Sequence, residues 1–266
     1  MDLVPMNAEP QILTDDAILN GRLRLLQPKR GHRFGHDAIL LAAATPAAKG
    51  QRIVELGAGV GAASLALLAR VSGIDVTLIE IEAALAALAA QNIARNGFAA
   101  QARCVTLDIA APDSDFIAAG LTPATFDIVL MNPPFNDERL QASPDPARRR
   151  AHHAAPDTLR LWLDKAARLL RPHGMVSLIW RAEAQDRVLD TLAGDFGAVR
   201  ILPVHPAPEQ APIRILVNAI RDETAPPCIL PGLTLTDRNR RPSREAEACL
   251  RENAAIAVSG TTEKPG

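Results

Sequence analysis

The sequence predicts an α/β fold: a seven-stranded, mostly parallel sheet with helices on both faces and an antiparallel hairpin at its C-terminal end. Three observations carry that expectation. Between residues 53 and 192, short apolar runs alternate with stretches of helical period, the order expected of repeated strand, helix, strand units. The first run, Ile53-Val54-Glu55-Leu56, opens into a glycine-rich turn, Gly57-Ala58-Gly59-Val60-Gly61, that leads into an apolar-periodic helix. The last two runs have no helix between them, only a loop containing Pro206, Pro208 and Pro212, which calls for a hairpin.

Taken in order, residues 1–20 have no persistent period and read as a flexible arm. A basic, turn-rich stretch follows, in which Arg22, Arg24, Lys29, Arg30 and Arg33 all precede Asp37. Asp37 is placed to cap a helix over 38–44 that stops near Pro46. The first strand, 53–56, is followed by a helix over 62–69, and the second, 76–79, ends in Glu80. An alanine-rich helix from residue 82 stops at Asn96-Gly97, and the third strand, 102–107, ends in Asp108. The fourth, 126–130, turns polar at Asn132. Leu159, Trp162, Leu163, Ala166 and Leu169 recur at helical spacing, so Trp162 is expected in the core, with His173-Gly174 closing that helix. A fifth strand over 175–180, a helix over 182–192, strands over 199–204 and 213–220 and an edge strand over 233–236 complete the sheet. Ser243 is a good cap for a last helix. One domain over 21–252 holds these elements, with a disordered tail at 253–266.

Composition bounds the function. At 266 residues, with 48% hydrophobic and 22% charged content, the chain can bury a large core, and Glu55 and Arg70 interrupt its most apolar region before it could span a membrane. The N-terminus lacks a basic and apolar leader, and Cys104, Cys228 and Cys249 are unpatterned, so a cytoplasmic protein with reduced thiols is expected. A net charge of -1 excludes a global basic field, and a nucleic acid would have to be met by local arginine clusters. Arg30 and Arg33 beside Phe34 make one such cluster, and Arg148, Arg149 and Arg150 another. His152 and His153 have no other ligand type nearby, so no metal site is predicted.

Four consecutive strands therefore end in glycine, Glu80, Asp108 and Asn132. In an open parallel sheet those ends face one crevice, where ligands lie. Glu80 follows Gly57 at the distance where a carboxylate can accept ribose hydroxyls. The fourth strand's tip is stiff: two prolines fix their φ angles and restrict the residues before them, so Asn132 and Pro133 are expected to be extended. A side-chain amide oxygen and a fixed carbonyl can accept the two hydrogens of a flat amino group while Phe135 covers its face.

Together, ELGAGVG at 55–61, Glu80, Asp108 and NPPF at 132–135 resemble the successive motifs of class I S-adenosylmethionine-dependent methyltransferases with a Rossmann-like fold. Within that class, QPKRGHRFGHDAILLAA at 27–43, VHP at 204–206 and APIRILV at 211–217 resemble the bacterial adenine-N6 methyltransferases acting on valine tRNA. The resemblance implies S-adenosylmethionine as cofactor, held by Asp37, Glu55, Gly57, Ala58, Gly59, Gly61, Glu80, Ile81, Asp108, Ile109 and Asn132. It implies Asn132, Pro133, Pro134 and Phe135 as the transfer tip and tRNA as partner, with Arg30, Arg33, Phe34 and Arg148, Arg149, Arg150 facing it. NPPF also fits other planar acceptors: guanine-N2 in rRNA, a protein glutamine or a small heteroaromatic. A nicotinamide-dependent oxidoreductase shares the glycine pattern but leaves Asp108 and NPPF without a role, and a cofactor-binding RNA adaptor without catalysis has no use for an intact tip.

Overall fold

The computed structural model of the chain describes residues 12–30, 33–134, 158–256 and 258. Phe135, Arg148, Arg149, Arg150, His152 and His153 lie outside them. The main sheet is built from β3 (Arg52–Leu56), β4 (Asp75–Glu80), β5 (Ala102–Thr106), β6 (Phe126–Met131), β7 (Leu170–Arg181), β8 (Phe196–His205) and β9 (Arg214–Arg221). Two short strands, β10 (Cys228–Ile229) and β11 (Leu233–Thr234), add to β8. The order is β10-β8-β9-β7-β6-β3-β4-β5. All ladders from β5 to β7 are parallel, and only β9 runs against its neighbours β7 and β8. The expected seven strands and terminal hairpin are present.

Alternation along the strands assigns side chains to two cores. Ile53, Ile128 and Leu130 face one core with α1 (His36–Ala44), α2 (Ala62–Arg70) and α3 (Ala83–Arg95). Val54, Val129 and Met131 face the other, with Phe116 of α4 (Asp113–Ala118), Trp162 and Leu163 of α5 (Thr158–Leu169) and Val188 of α6 (Gln185–Leu192). Such strands are apolar on both faces, which is why they read as continuous runs. A 3₁₀ turn (Ala182–Ala184) precedes α6. α5 stops at Leu169 and β7 starts at Leu170, so His173-Gly174, expected to close the helix, lies inside the strand beside a register shift at Phe126/Ile128.

Two expectations fail at the ends. Part of the arm expected over 1–20 is a strand: β1 (Leu13–Ile18) pairs antiparallel with β2 (Leu23–Pro28). β1 has no buried residue, so no apolar period marks it; ion pairs hold it instead, Asp15 to Arg24 and Arg95, and Asp16 to Arg33. The tail expected to be disordered from 253 is packed at its start: the Asn253 side-chain amide donates to the Ala66 carbonyl at 2.9 Å, the Ile256 amide donates to Ala43 at 2.8 Å, and Val258 is buried. Ser243 caps α7 (Arg244–Glu252), accepting the Ala246 amide at 3.0 Å.

Asn92 of α3 fastens the hairpin to the main sheet. Fully buried, it accepts the Leu26 amide at 2.8 Å and donates to the carbonyls of Leu26 at 2.9 Å and Val60 at 3.0 Å. Replacing Asn92 by Ala strands these backbone groups and should cost about 2–4 kcal/mol, read as a lower midpoint in urea unfolding. An unchanged midpoint would mean that β2 is held by its leucines alone.

Candidate active site

β3 delivers the chain at Leu56 into a loop, residues 57–61, that α2 continues. Gly57 has φ of 66°, and a Cβ there would lie 2.3 Å from Cη2 of Trp162, so the indole on α5 walls the loop and only glycine fits. Two buried carboxylates brace the loop. Glu80, at the end of β4, accepts the Gly59 amide at 2.7 Å through Oε2 and the Glu82 amide at 2.9 Å through Oε1. Glu55, within β3, accepts from the Ser64 amide at 3.0 Å and from the Ser64 hydroxyl, tying the strand to the first turn of α2. Burial pushes the Glu55 carboxyl up to about 7; the Ser64 hydrogen bonds oppose the rise, and the charge of Glu80 adds to it.

A cleft of about 450 Å³ opens over this loop, within the size range of small-molecule sites. Glu55, Gly57, Ala58 and Gly59 line one side, and Asn132, Pro133 and Pro134, leaving the end of β6, line another. Arg33, Phe34, Asp37 and Arg214 complete its rim. β3 and β6 are direct neighbours, with Leu56 paired to Met131, and that register brings Gly57 and Asn132 together. Asp37 does not cap α1. The cap position is Gly35, and the Asp37 carboxylate accepts from Nε of Arg214 at 2.9 Å, joining α1 to the start of β9 across the cleft.

The sequence-expected residues divide into groups. Asp37, Glu55, Gly57, Ala58, Gly59, Asn132, Pro133, Pro134, Arg33 and Phe34 share the cleft. Gly61, Glu80, Ile81, Asp108, Ile109 and Arg30 are not in its lining. Glu80 nevertheless touches it through the Gly59 amide, and Gly61 stands one turn on as the N-cap of α2. Ile81 is 58% exposed at the end of β4, an unusual place for a large apolar side chain, whereas Ile109 is buried. Asp108 is exposed and accepts the Ala110 amide at 2.8 Å. Arg33 donates to Thr14 and to the Pro28 carbonyl and pairs with Asp16, so its guanidinium is committed to the hairpin. Phe34 is partly buried against Val60, Leu85 and Leu88. Ser64 and Arg214 were not anticipated; Arg214 stood in the APIRILV segment, where its charge within an apolar strand was the available signal.

Residues 33–205 match the methyltransferase small domain family. A curated tRNA1(Val) (adenine(37)-N6)-methyltransferase of Parabacteroides distasonis is 29% identical over 225 residues, covering 83% of this chain and 90% of that protein. One of the same name from Tolumonas auensis is 25% identical over 228 residues, covering 85% of each. Among solved structures, a "predicted O-methyltransferase" of Agrobacterium tumefaciens superposes with a TM-score of 0.70 at 25% identity, covering 83% of this chain and 98% of that one. A tRNA (m1A58) methyltransferase of Aquifex aeolicus gives 0.51 at 17% identity, over 74% of this chain and 73% of that one, a likeness of fold.

Glu55 makes stability depend on pH. Its folded value, about 7, lies above the ordinary 4.5, so between the two the folded chain holds a proton that the unfolded chain has lost. Its contribution is complete below the lower value and is lost as pH rises through the upper one, by about 3 kcal/mol in all. The stability difference between the wild type and Glu55→Gln, measured by urea unfolding without ligand, should therefore shift against the wild type from pH 5 to pH 7.5. A constant difference would show that Glu55 ionises normally.

Proposed function

The chain belongs to the methyltransferase small domain family and is an S-adenosylmethionine-dependent methyltransferase; on that premise we propose that it methylates the N6 amino group of an adenine in tRNA. The observation that carries the reading is the juxtaposition of Asn132, Pro133 and Pro134 with the glycine loop in one cleft. The names of the relatives support tRNA as the substrate and, with it, work in the cytoplasm. Among the described residues no helix is long and apolar enough to cross a membrane.

The residues present fit the cofactor. Asp37, Glu55 and Glu80 bring acidic groups to or beneath a cleft that has to receive a cationic sulfonium and ammonium. Gly57 lets the backbone pass close, and the exposed Ile81 beside Glu80 offers an apolar face for an adenine ring. Glu80 would hold the ribose, since each of its oxygens keeps a lone pair beyond the amide it accepts. Asp108 and Ile109 would take the edge and face of that adenine. When bound, S-adenosylmethionine supplies a methyl group on a sulfonium, open to in-line attack by a nitrogen.

The chain's own contribution is positioning and hydrogen-bond acceptance. An exocyclic amino nitrogen of adenine is a poor nucleophile because its lone pair is delocalised into the ring. Asn132 Oδ1 and the Pro133 carbonyl accept its two hydrogens as they become more acidic, which returns electron density to the nitrogen and orients its lone pair. Pro133 is buried and Pro134 follows it, so the carbonyl is fixed by covalent geometry. Phe135, the neighbouring residue of the motif, would stack on the base. Positioning of this kind is worth up to about 7–11 kcal/mol, and no strong general base is required. The surplus proton leaves to solvent after transfer. In tRNA the target base must leave its stack to enter the cleft, which costs least in a loop.

Incubation with labelled methyl donor and unmodified total tRNA, rRNA or protein, followed by digestion, identifies the acceptor. The expected product is N6-methyladenosine from tRNA, and label confined to guanosine or glutamine would overturn the adenine assignment. Asn132→Ala should lower methyl transfer about 100-fold or more while leaving cofactor affinity within a few-fold. Loss of both together would make the residue structural.

A further inference from the structure

The sheet edge that carries the Asn132 tip continues past β9 and β8 to β11. Arg214 of β9 pairs with Val204 of β8, and Val204 pairs in turn with Leu233 of β11. At the usual strand spacing this puts Leu233 about 10 Å from the Arg214 backbone. Beyond Thr234 the chain makes a compact turn at that edge, closed by a bridge between Thr236 and Pro242. Asp237 Oδ1 accepts the amides of Asn239 at 2.7 Å and Arg241 at 3.0 Å, and the Ser243 hydroxyl donates to the Thr234 carbonyl at 2.6 Å. The turn's acid is therefore engaged by backbone amides, while Arg238, Arg240, Arg241 and Arg244 are exposed. Arg238 pairs with Glu209 at 3.0 Å; among the described residues the other three have no ion-pair partner.

A groove of about 730 Å³ lies between this turn and the cleft. Phe34 and Gly35 line both, so the two adjoin across these residues. Ile18, Ile39 and Leu250 give the groove an apolar lining, Pro242 joins it to the turn, and His36, Glu247 and Arg251 are its ionisable groups. Three unpaired guanidiniums at the far end suit phosphates, which they grip in bidentate fashion, and an apolar floor between them and the cleft suits the face of a base.

We propose that the turn at 238–244 and this groove form the docking surface for the RNA strand that flanks the methylated base. Arg240, Arg241 and Arg244 hold its backbone phosphates, and the groove takes a neighbouring base or ribose against Phe34. The inference rests on the reading that the acceptor is RNA. The turn also offers a chain with a net charge of -1 a local cluster of cations with which to grip a polyanion, at one end of the path to the cleft.

The test is filter binding of unmodified total tRNA across a salt series, with methylation assayed in parallel. It compares the wild type with the triple variant Arg240→Gln, Arg241→Gln, Arg244→Gln, the corresponding triple Lys variant, and Lys49→Gln, a control placed before β3 at the opposite edge of the sheet. The Gln triple should lose about tenfold or more in affinity near 0.1 M salt, and its log-log salt slope should be shallower by about 2 to 3. Its KM for tRNA should rise, while its melting temperature and its stabilisation by S-adenosylhomocysteine match the wild type. The Lys triple should keep the slope and Lys49→Gln should change nothing. An unchanged slope in the Gln triple, with a wild type that still methylates tRNA, overturns this inference alone. A Lys triple whose salt slope is as shallow as that of the Gln triple also overturns it, because the slope would then not follow charge. A wild type that neither binds nor methylates RNA overturns the inference together with the RNA reading beneath it.

Discussion

The hydrogen bond from the Gly59 amide to the Glu80 carboxylate is the contact on which the site edge depends. In the parallel ladder of β3 and β4, Leu56 pairs with Ile79. The Ala58 amide continues the ladder to the Ile79 carbonyl at 2.9 Å, and Gly59 then finds the Glu80 side chain where a strand would have offered another carbonyl. The loop is an extension of the sheet whose last acceptor is a side chain. Amide bonds to a carboxylate are worth about 1.5–3 kcal/mol each, and Glu80 takes two, which offsets the cost of burying its charge. An apolar residue at position 80 would leave two amides unpaired at the point where the loop has to be rigid.

The loop is fixed from the other side as well. Asn92 donates to the Val60 carbonyl, one residue beyond Gly59, with the same amide that holds Leu26 of the hairpin. Val60 itself packs with Leu85, Leu88, Leu26 and Phe34. Three parts of the chain thus converge on two adjacent loop residues: the β4 end at Gly59, and α3 and the hairpin at Val60. The hairpin's surface ion pairs are exposed and contribute little stability by themselves. Their effect is positional: Arg33, held by Asp16, precedes Phe34, and Phe34 stands between the cleft and the groove.

How much of this was legible in the sequence depends on whether the cause is local. The parallel strands were legible because burial on both faces leaves short runs dominated by apolar residues, such as 53–56 and 126–130, each broken by one acid, and the glycine turn because its backbone demands that residue type. β1 was not, since LTDDAI is a strand made of half-exposed and polar residues whose partners, Arg24, Arg33 and Arg95, lie up to 80 residues away. The tail beyond Glu252 was not, because Asn253 is anchored to Ala66 on α2. At the site, Asn132 and Glu55 could be placed from strand ends and a glycine turn. Asp37 came to the cleft only through the resemblance: by itself an acid before an apolar helix reads as a cap, and nothing local reveals that Arg214, 177 residues later, takes its carboxylate. The arginine turn at 238–244 gave no local sign of its position, which is set by β11 pairing with the distal end of β8.

Charge is sorted across this edge, and the near-zero total conceals it. Asp37 and Glu80 bring their carboxylates to or beneath the cleft, Glu80 buried, while the carboxyl of Glu55 beside them is pushed up to about 7. Arg240, Arg241 and Arg244, without ion-pair partners among the described residues, lie outside it on the turn. Screening in salt limits exposed charges to about 8 Å, so a basic turn farther off would exert little pull on the strand entering the cleft, and one inside it would repel a cationic cofactor. Buried carboxylates are screened less and act on what is directly above them. Separating the two signs by one apolar groove lets a single sheet edge receive a positively charged donor and a negatively charged acceptor without either field cancelling the other. The antiparallel turn-back of β9 makes this possible, because it places β8 and β11 in line with the parallel strands and brings their C-terminal ends to the side where Gly57 and Asn132 already lie.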